Sequence, residues 1–351
     1  MIPVKGYAAI EAKSSLTPFS FERRDLGEND VLIDIQYCGI CHSDIHQVRD
    51  EWGKGVFPMV PGHEIVGVVI KTGSNVSQFK IGERVGVGCM VDSCRECDEC
   101  HEGMEQYCSN GMTPTYNGKE RDGSGTTQGG YSNKIVVNKD FVLHIPDNLP
   151  LDAAAPLLCA GITLYSPLKH WNVGLGKKIA IVGLGGLGHM GVKIAHAMQA
   201  NVTVLSHSEN KRDDSMRFGA DHFYTTSDGS TFKKLQNMFD LIICTVSAGI
   251  DWNLYLSLLN RDGAMVLIGI PENQVPVSAF SLISRRRHLT GSLIGGIQET
   301  QEMLDFCGHH NIVSDIELIH MQDVNKAYDR VIKSDVRYRF VIDLSSIDFQ
   351  E

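Results

Sequence analysis

Nine consecutive residues, Cys38-Gly-Ile-Cys41-His42-Ser43-Asp44-Ile-His46, bring soft metal ligands, a hydroxyl, a carboxylate and two imidazoles together directly after the apolar run Val31 to Tyr37. Two later fragments supply what this stretch lacks: Pro61-Gly-His63-Glu64, and Leu158-Cys159-Ala-Gly-Ile-Thr163. Cys41, His63 and Cys159 offer two thiolates and one imidazole, the ligand types that tetrahedral Zn2+ prefers. Three protein ligands leave a fourth position for water or substrate, as in a catalytic site. A lone Cys in such a chain is more often an inert core residue; what sets Cys41 apart is the chemistry beside it. Cys159 is distant in sequence, so only the fold can complete the set.

A second cluster, Cys94, Cys97, Cys100 and Cys108, has two, two and seven residues between successive members. Four thiolates close a zinc shell against water, which is the pattern of a structural site. The first three spacings also match an iron–sulfur run, but the fourth is long and no Pro follows Cys108, so zinc is the better reading.

Gly183-Leu184-Gly185-Gly186-Leu187-Gly188 follows the buried-strand pattern Lys178 to Val182 and opens a helix with Leu187, Met190, Ile194, Ala195 and Met198 at helical spacing. In that context the glycines read as a dinucleotide turn, with the pyrophosphate at the helix N-terminus. The next strand ends in Ser206-His207-Ser208 and is followed by Lys211-Arg212. Hydroxyls and cations suit a 2′-phosphate, which favours NADP(H) over NAD. Glu209 lies close enough in sequence to compete as a ribose ligand.

The elements that must position these groups divide the chain in two, as 351 residues would predict. Up to about residue 150, short β-branched runs lie between turns: 31–37, 65–71, 84–87, 131–137 and a closing run from Phe141. A helix is expected from Asp152 through Ala160, with a domain boundary near Leu151. From 178 to 295, strand runs 178–182, 202–205, 241–244 and 264–268 alternate with helices, as a parallel sheet requires. A helix over 299–309 and a strand over 339–343 close the chain.

Hydrophobic residues make up 42% and charged residues 21%, ordinary for a globular protein. A net charge of −10 and a pI near 5.8 argue against a nucleic-acid or membrane partner. The N-terminus lacks the apolar core of a signal peptide. The cysteines cluster at short spacings, which points to metal in a reducing, cytoplasmic compartment.

Taken together, Gly39-Ile-Cys41-His42-Ser43-Asp44, Pro61-Gly-His63-Glu64, the four-cysteine segment, Cys159-Ala-Gly-Ile-Thr163 and the glycine turn resemble the zinc-dependent medium-chain alcohol dehydrogenases, nearly end to end and in order. Phe57-Pro-Met-Val-Pro-Gly-His-Glu64, Thr127-Gln-Gly-Gly-Tyr131-Ser132, Gly291-Ser-Leu-Ile-Gly-Gly296 and Arg337-Tyr-Arg-Phe-Val-Ile-Asp343 are most similar to the cinnamyl alcohol dehydrogenase branch and the related bacterial NADP-dependent aldehyde reductases.

The resemblance implies an α/β protein: a GroES-like β-rich catalytic domain over 1–157 and 296–351, and a Rossmann domain with a doubly wound parallel sheet over 158–295. It implies two zinc ions per chain, NADP(H) and a homodimer. Cys41, His63 and Cys159 would hold the catalytic zinc, Glu64 would be an alternate ligand, and Asp44 would orient His63. Ser43 and His46 match the family's proton relay. His42, Thr163, Thr245, Gly269 and Ser292 fall where the family meets its cofactor.

The implied reaction interconverts a small-molecule aldehyde and an alcohol, in the reductase direction. Trp52, Met59, Met90, Tyr116 and Leu293 are candidates for an apolar substrate pocket. Alternatives are a polyol or secondary-alcohol dehydrogenase, and a non-catalytic NADPH- and zinc-binding sensor of the same fold. Ser43 and His46 weigh against the sensor, because a mere binder has no use for an open metal position and a relay.

Overall fold

The structure is a computed structural model that describes residues 1–271 and 273–347. The chain divides into two compact units, Met1–Ile162 with Gly295–Glu351, and Thr163–Ile294. The division falls inside the helix Ala160–His170.

The first unit is built around the strand Asp30–Gly39, which is buried along most of its length. It pairs antiparallel with Ile65–Thr72, Lys134–Asn138 and Arg339–Asp343. Its β-branched residues explain that centrality, since Val31, Ile33 and Ile35 all face core. Ile316–His320, Arg84–Val87 and Leu143–His144 extend the sheet to seven strands. The N-terminal hairpin Ile2–Ala8 with Thr17–Arg23, the strand Ile316–His320 and the helix Val324–Ile332 were not expected from the sequence pattern.

Two expected elements differ. The strand expected over 131–137 begins at Lys134, because the backbone just before it is committed elsewhere: Tyr131 N donates to Pro61 O and Asn133 N to Lys5 O. The helix expected from Asp152 is a four-residue turn, Leu151–Ala154, that passes into a 3-10 helix, Ala155–Leu158. Pro156 has no N–H to continue α-helical bonding.

Among the described residues of the second unit, six parallel strands run in the spatial order His222–Thr225, Asn201–Ser206, Lys178–Val182, Phe239–Cys244, Leu259–Leu267, His288–Gly291. Numbered along the chain this is 3-2-1-4-5-6, the dinucleotide-binding order, in which the strand sequence reverses beside the first strand. The three central strands, Asn201–Ser206, Lys178–Val182 and Phe239–Cys244, are mostly apolar and buried along nearly all of their length, as burial on both faces demands. Leu259–Leu267 is paired on both sides, and the edge is His288–Gly291. Among the described residues no single helix is long and apolar enough to cross a membrane.

Candidate functional site

Sheet register assembles the first cluster. Cys38 pairs with Ile65, so the end of one strand and the start of its neighbour lie side by side and project Cys41, His63 and Glu64 from the same rim. Cys159 follows the 3-10 helix Ala155–Leu158 and joins them. The ligand atoms of Cys41, His63, Glu64 and Cys159 lie within 4.8 Å of one another, and all four residues are buried. The Cys41 and Cys159 sulfurs are 3.9 Å apart.

Asp44 organises this group. It sits in the first turn of the helix His42–Val48, where Oδ2 accepts from Cys41 N at 2.8 Å and caps the helix. Oδ1 accepts from Gly62 N and lies 3.1 Å from His63 Nδ1. That contact commits Nδ1 as donor and leaves Nε2 for a metal. Hydrogen bonding from Cys159 and then from His63 draws the Cys41 thiol well below its ordinary range, against the opposing effect of burial. Ser43 Oγ is 3.7 Å from Cys41 Sγ. His46 lies farther along the helix, stacked on Trp52 at 5.1 Å and bonded through Nδ1 to Glu51.

Glu64 is fully buried and ion-paired with Arg339. Burial pushes its carboxyl up to about 7, with Arg339 acting in the opposite direction. Its Oε2 is buried without a hydrogen-bond partner among the described residues. An orphaned carboxylate oxygen beside two thiols and an imidazole fits a zinc site whose fourth position is open. The role of Arg339 had no signal in spacing or composition. Of the five pocket candidates, Met59, Met90 and Tyr116 are buried, Tyr116 against the His63 ring at 5.8 Å, while Trp52 and Leu293 are exposed.

The ligand atoms of Cys94, Cys97, Cys100 and Cys108 likewise lie within 4.8 Å of one another. The short helix Asp98–His101 starts after Cys97, and the small sheet Met90–Asp92 with Thr113–Pro114 closes the base of the lobe. The Glu96 backbone N–H helps hold the Cys94 thiol down at about 6. Four converging sulfurs fit a closed zinc shell.

In the second unit the glycine turn leaves the strand Lys178–Val182. Gly183 has φ +90, and a Cβ on Gly188 would lie 2.0 Å from Gly183 O, so helix and turn need both glycines. A Cβ on Gly185 would meet nothing within 4 Å, which leaves that side open for a pyrophosphate to approach. A cavity of about 400 Å³ beside it is lined by residues including Gly183, Leu205, His207, Thr226, Val246 and Tyr255. Thr245 Oγ1 donates to Val182 O, and Lys211 Nζ to Leu184 O at 2.7 Å, which draws both residues to the turn.

Ser206 Oγ and Ser208 N are 3.4 Å apart. Arg212 is held by Glu209, by the Phe223 carbonyl and over the Phe223 ring, so the competing carboxylate is itself occupied by a cation. Gly269 approaches Val246, and Ser292 N donates to Leu267 O. Thr163 is buried in the helix Ala160–His170, and His42 is exposed at the start of its own helix.

Fold and donor sets define a two-unit zinc dehydrogenase, and the comparisons agree. Residues 27–147 match the alcohol dehydrogenase GroES-like domain and residues 186–308 match the zinc-binding dehydrogenase domain. The chain belongs to the zinc-binding alcohol dehydrogenase family. It is 59% identical over 348 residues to NADP-dependent alcohol dehydrogenase C 1 of Mycolicibacterium smegmatis, covering 99% of each chain. It is 51% identical over 343 residues to the aldehyde reductase YahK of Escherichia coli, covering 97% of this chain and 98% of that one. The crystal structure of a cinnamyl alcohol dehydrogenase from Helicobacter pylori complexed with NADP(H) superimposes with a TM-score of 0.92 at 44% identity, over 99% of each chain.

Proposed function

We propose that this chain is a zinc-dependent, NADP(H)-linked oxidoreductase that interconverts aldehydes and primary alcohols, acting as an aldehyde reductase on aromatic, cinnamyl-type or medium aliphatic aldehydes. The observation that carries the reading is the buried Cys41, His63 and Cys159 donor set with Asp44 on His63 Nδ1. Its similarity to NADP-dependent alcohol dehydrogenases and an aldehyde reductase supports the cofactor and the substrate class.

Cys41, His63 and Cys159 hold the catalytic zinc, with Glu64 as alternate ligand, and Cys94, Cys97, Cys100 and Cys108 hold the structural one. When bound, zinc supplies a Lewis acid for the substrate oxygen, and NADP(H) supplies or takes up the hydride. The remaining work belongs to side chains. Ser43 Oγ holds the proton of the reacting oxygen and His46 exchanges it with solvent, Nδ1 being committed to Glu51 and Nε2 being the exchanging atom. His42 and Thr163 contact the cofactor. The turn Gly183 to Gly188 cradles its pyrophosphate, and Ser206, His207, Ser208, Lys211 and Arg212 bind the 2′-phosphate, with Thr245, Gly269 and Ser292 along its length.

The protein acts as a cytoplasmic homodimer. Free thiols throughout the chain support a reducing compartment. An edge strand at His288–Gly291, with Ile270, Phe280 and Ile283 exposed, supports pairing with a second copy.

The test is metal content per chain together with oxidation of NADPH by cinnamaldehyde and benzaldehyde, with NADH as control. Two zincs and NADPH-specific turnover are expected. One zinc and no turnover would replace this reading with a non-catalytic binding protein.

A further inference from the structure

The motif Thr127-Gln-Gly-Gly-Tyr131-Ser132 is used by neither the ligand set nor the cofactor turn, yet its backbone runs directly against the segment that carries His63. Gly129 N donates to Val60 O at 2.7 Å, Gly130 N to Gly62 O at 2.9 Å and Tyr131 N to Pro61 O at 2.9 Å. A Cβ on Gly129 would lie 2.4 Å from Pro61 O, and one on Gly130 would lie 2.4 Å from Ile65 Cγ1. So close an approach requires both glycines. From the N-terminal hairpin, Arg23 clamps the same motif, donating to Gln128 O at 2.8 Å and Gly129 O at 2.9 Å, and just beyond it to Lys134 O at 2.7 Å.

Held in this way, Tyr131 is fully buried and its hydroxyl donates to Asp44 Oδ2 at 3.2 Å. Among the described residues, Gly62 N and His63 Nδ1 lie at Asp44 Oδ1, and Cys41 N and Tyr131 Oη at Oδ2. Three of these partners belong to the segments that carry the ligands. Tyr131 comes from a segment that carries none, so its bond ties the carboxylate to the rest of the core. A second tyrosine supplies a natural contrast. Tyr328 is also buried, with its ring 6.5 Å from that of Tyr131, but its hydroxyl makes no hydrogen bond to Asp44.

We propose that Tyr131 is a positioning residue of the catalytic metal site: by donating to Asp44 Oδ2 it fixes the carboxylate that orients His63, and so retards loss of the metal. The inference rests on the zinc reading of Cys41, His63 and Cys159. Partners beyond the ligands change metal affinity by about 10–100-fold, and Tyr131 acts one contact further out, at the low end of that range.

The experiment is zinc release from the full-length holoenzyme into excess chromogenic chelator, for the unaltered protein, Tyr131→Phe and Tyr328→Phe. The phase that belongs to the four-cysteine cluster is the one missing from Cys100→Ser protein. Tyr131→Phe is expected to release the catalytic-site zinc about tenfold faster while the cysteine-cluster phase stays unchanged. Tyr328→Phe is expected to change neither phase. Equal catalytic-site rates in Tyr131→Phe and unaltered protein would overturn the proposal, as would an equal acceleration by Tyr328→Phe or a matching acceleration of both phases. An unaltered protein that holds only the cysteine-cluster zinc would overturn the metal-site reading itself, an outcome distinct from two zincs released at unaltered rates.

Discussion

Arg339 and Glu64 form an ion pair in which neither side chain has solvent to fall back on, at 6% and 0% exposure. Arg339 reaches that place because the strand Arg339–Asp343 pairs antiparallel with Asp30–Gly39, Val341 opposite Gly39. The end of the chain thus neutralises the carboxylate next to His63. Gly39 leaves the room for it, since a Cβ there would lie 1.9 Å from Glu64 Oε2.

Breaking a buried ion pair by removing one partner costs about 3–5 kcal/mol. Arg339→Met is therefore expected to destabilise the first unit by that order, and by less at low pH. Burial already raises the Glu64 carboxyl to about 7, and loss of the cation raises it further. Between its unfolded value and that raised folded value the folded state binds the extra proton, so stability falls as pH rises through this window. Denaturant unfolding at pH 5.5 and pH 8 checks the sign: a penalty equal at both values, or larger at pH 5.5, would contradict it.

Cys100→Ser removes one sulfur from the four-cysteine set. The variant should carry one zinc fewer per chain and melt at a lower temperature, since structural zinc contributes directly to folding free energy. Metal analysis beside a thermal melt decides this, and full metal content with an unchanged melt would refute it.

Ser206→Asp puts a carboxylate at the end of the strand Asn201–Ser206. It should repel a 2′-phosphate and favour ribose hydroxyls. A charge-assisted hydrogen bond is worth roughly 1.5–3 kcal/mol, so the NADP/NAD ratio of kcat/KM should drop by about 10- to 100-fold. Glu209→Gln, which frees Arg212 from its carboxylate partner, should move the ratio the other way. Steady-state kinetics with both cofactors reads both changes.

His46→Gln keeps the hydrogen-bonding shape but removes the ring nitrogen that exchanges the proton. Turnover should slow by no more than the roughly 10²–10⁴-fold typical of general acid–base groups, because the side chain is partly exposed and water can substitute. Metal content should stay constant. Loss of zinc in this variant would mean that His46 holds the site together rather than relaying a proton.

Several features were open to sequence reading because they are local. Spacing within 94–108 brings four sulfurs near one ion with few backbone choices, and a glycine turn between a buried strand and a helix carries its meaning in six residues. Strands such as Lys178–Val182, Arg84–Val87 and Arg339–Asp343 have the bounds that composition indicates, since apolar β-branched runs end abruptly at charge or glycine. The helix expected from Asp152 gives way at Pro156 to a 3-10 helix, because apolar spacing carries no record of the backbone N–H that proline lacks.

What the chain's own order of residues determined was therefore an inventory: which side chains could bind metal, where a nucleotide turn begins, and where the apolar runs lie. Tertiary structure alone decided the partnerships. The Cys38 to Ile65 register sets His63 beside Cys41, and a strand from the far end of the chain brings Arg339 to Glu64. A glycine-lined approach of residues 129–131 to 60–62 carries Tyr131 under Asp44. These contacts join residues 22 to 275 positions apart, and each depends on register and close packing across the whole sheet, information that no short window of sequence contains.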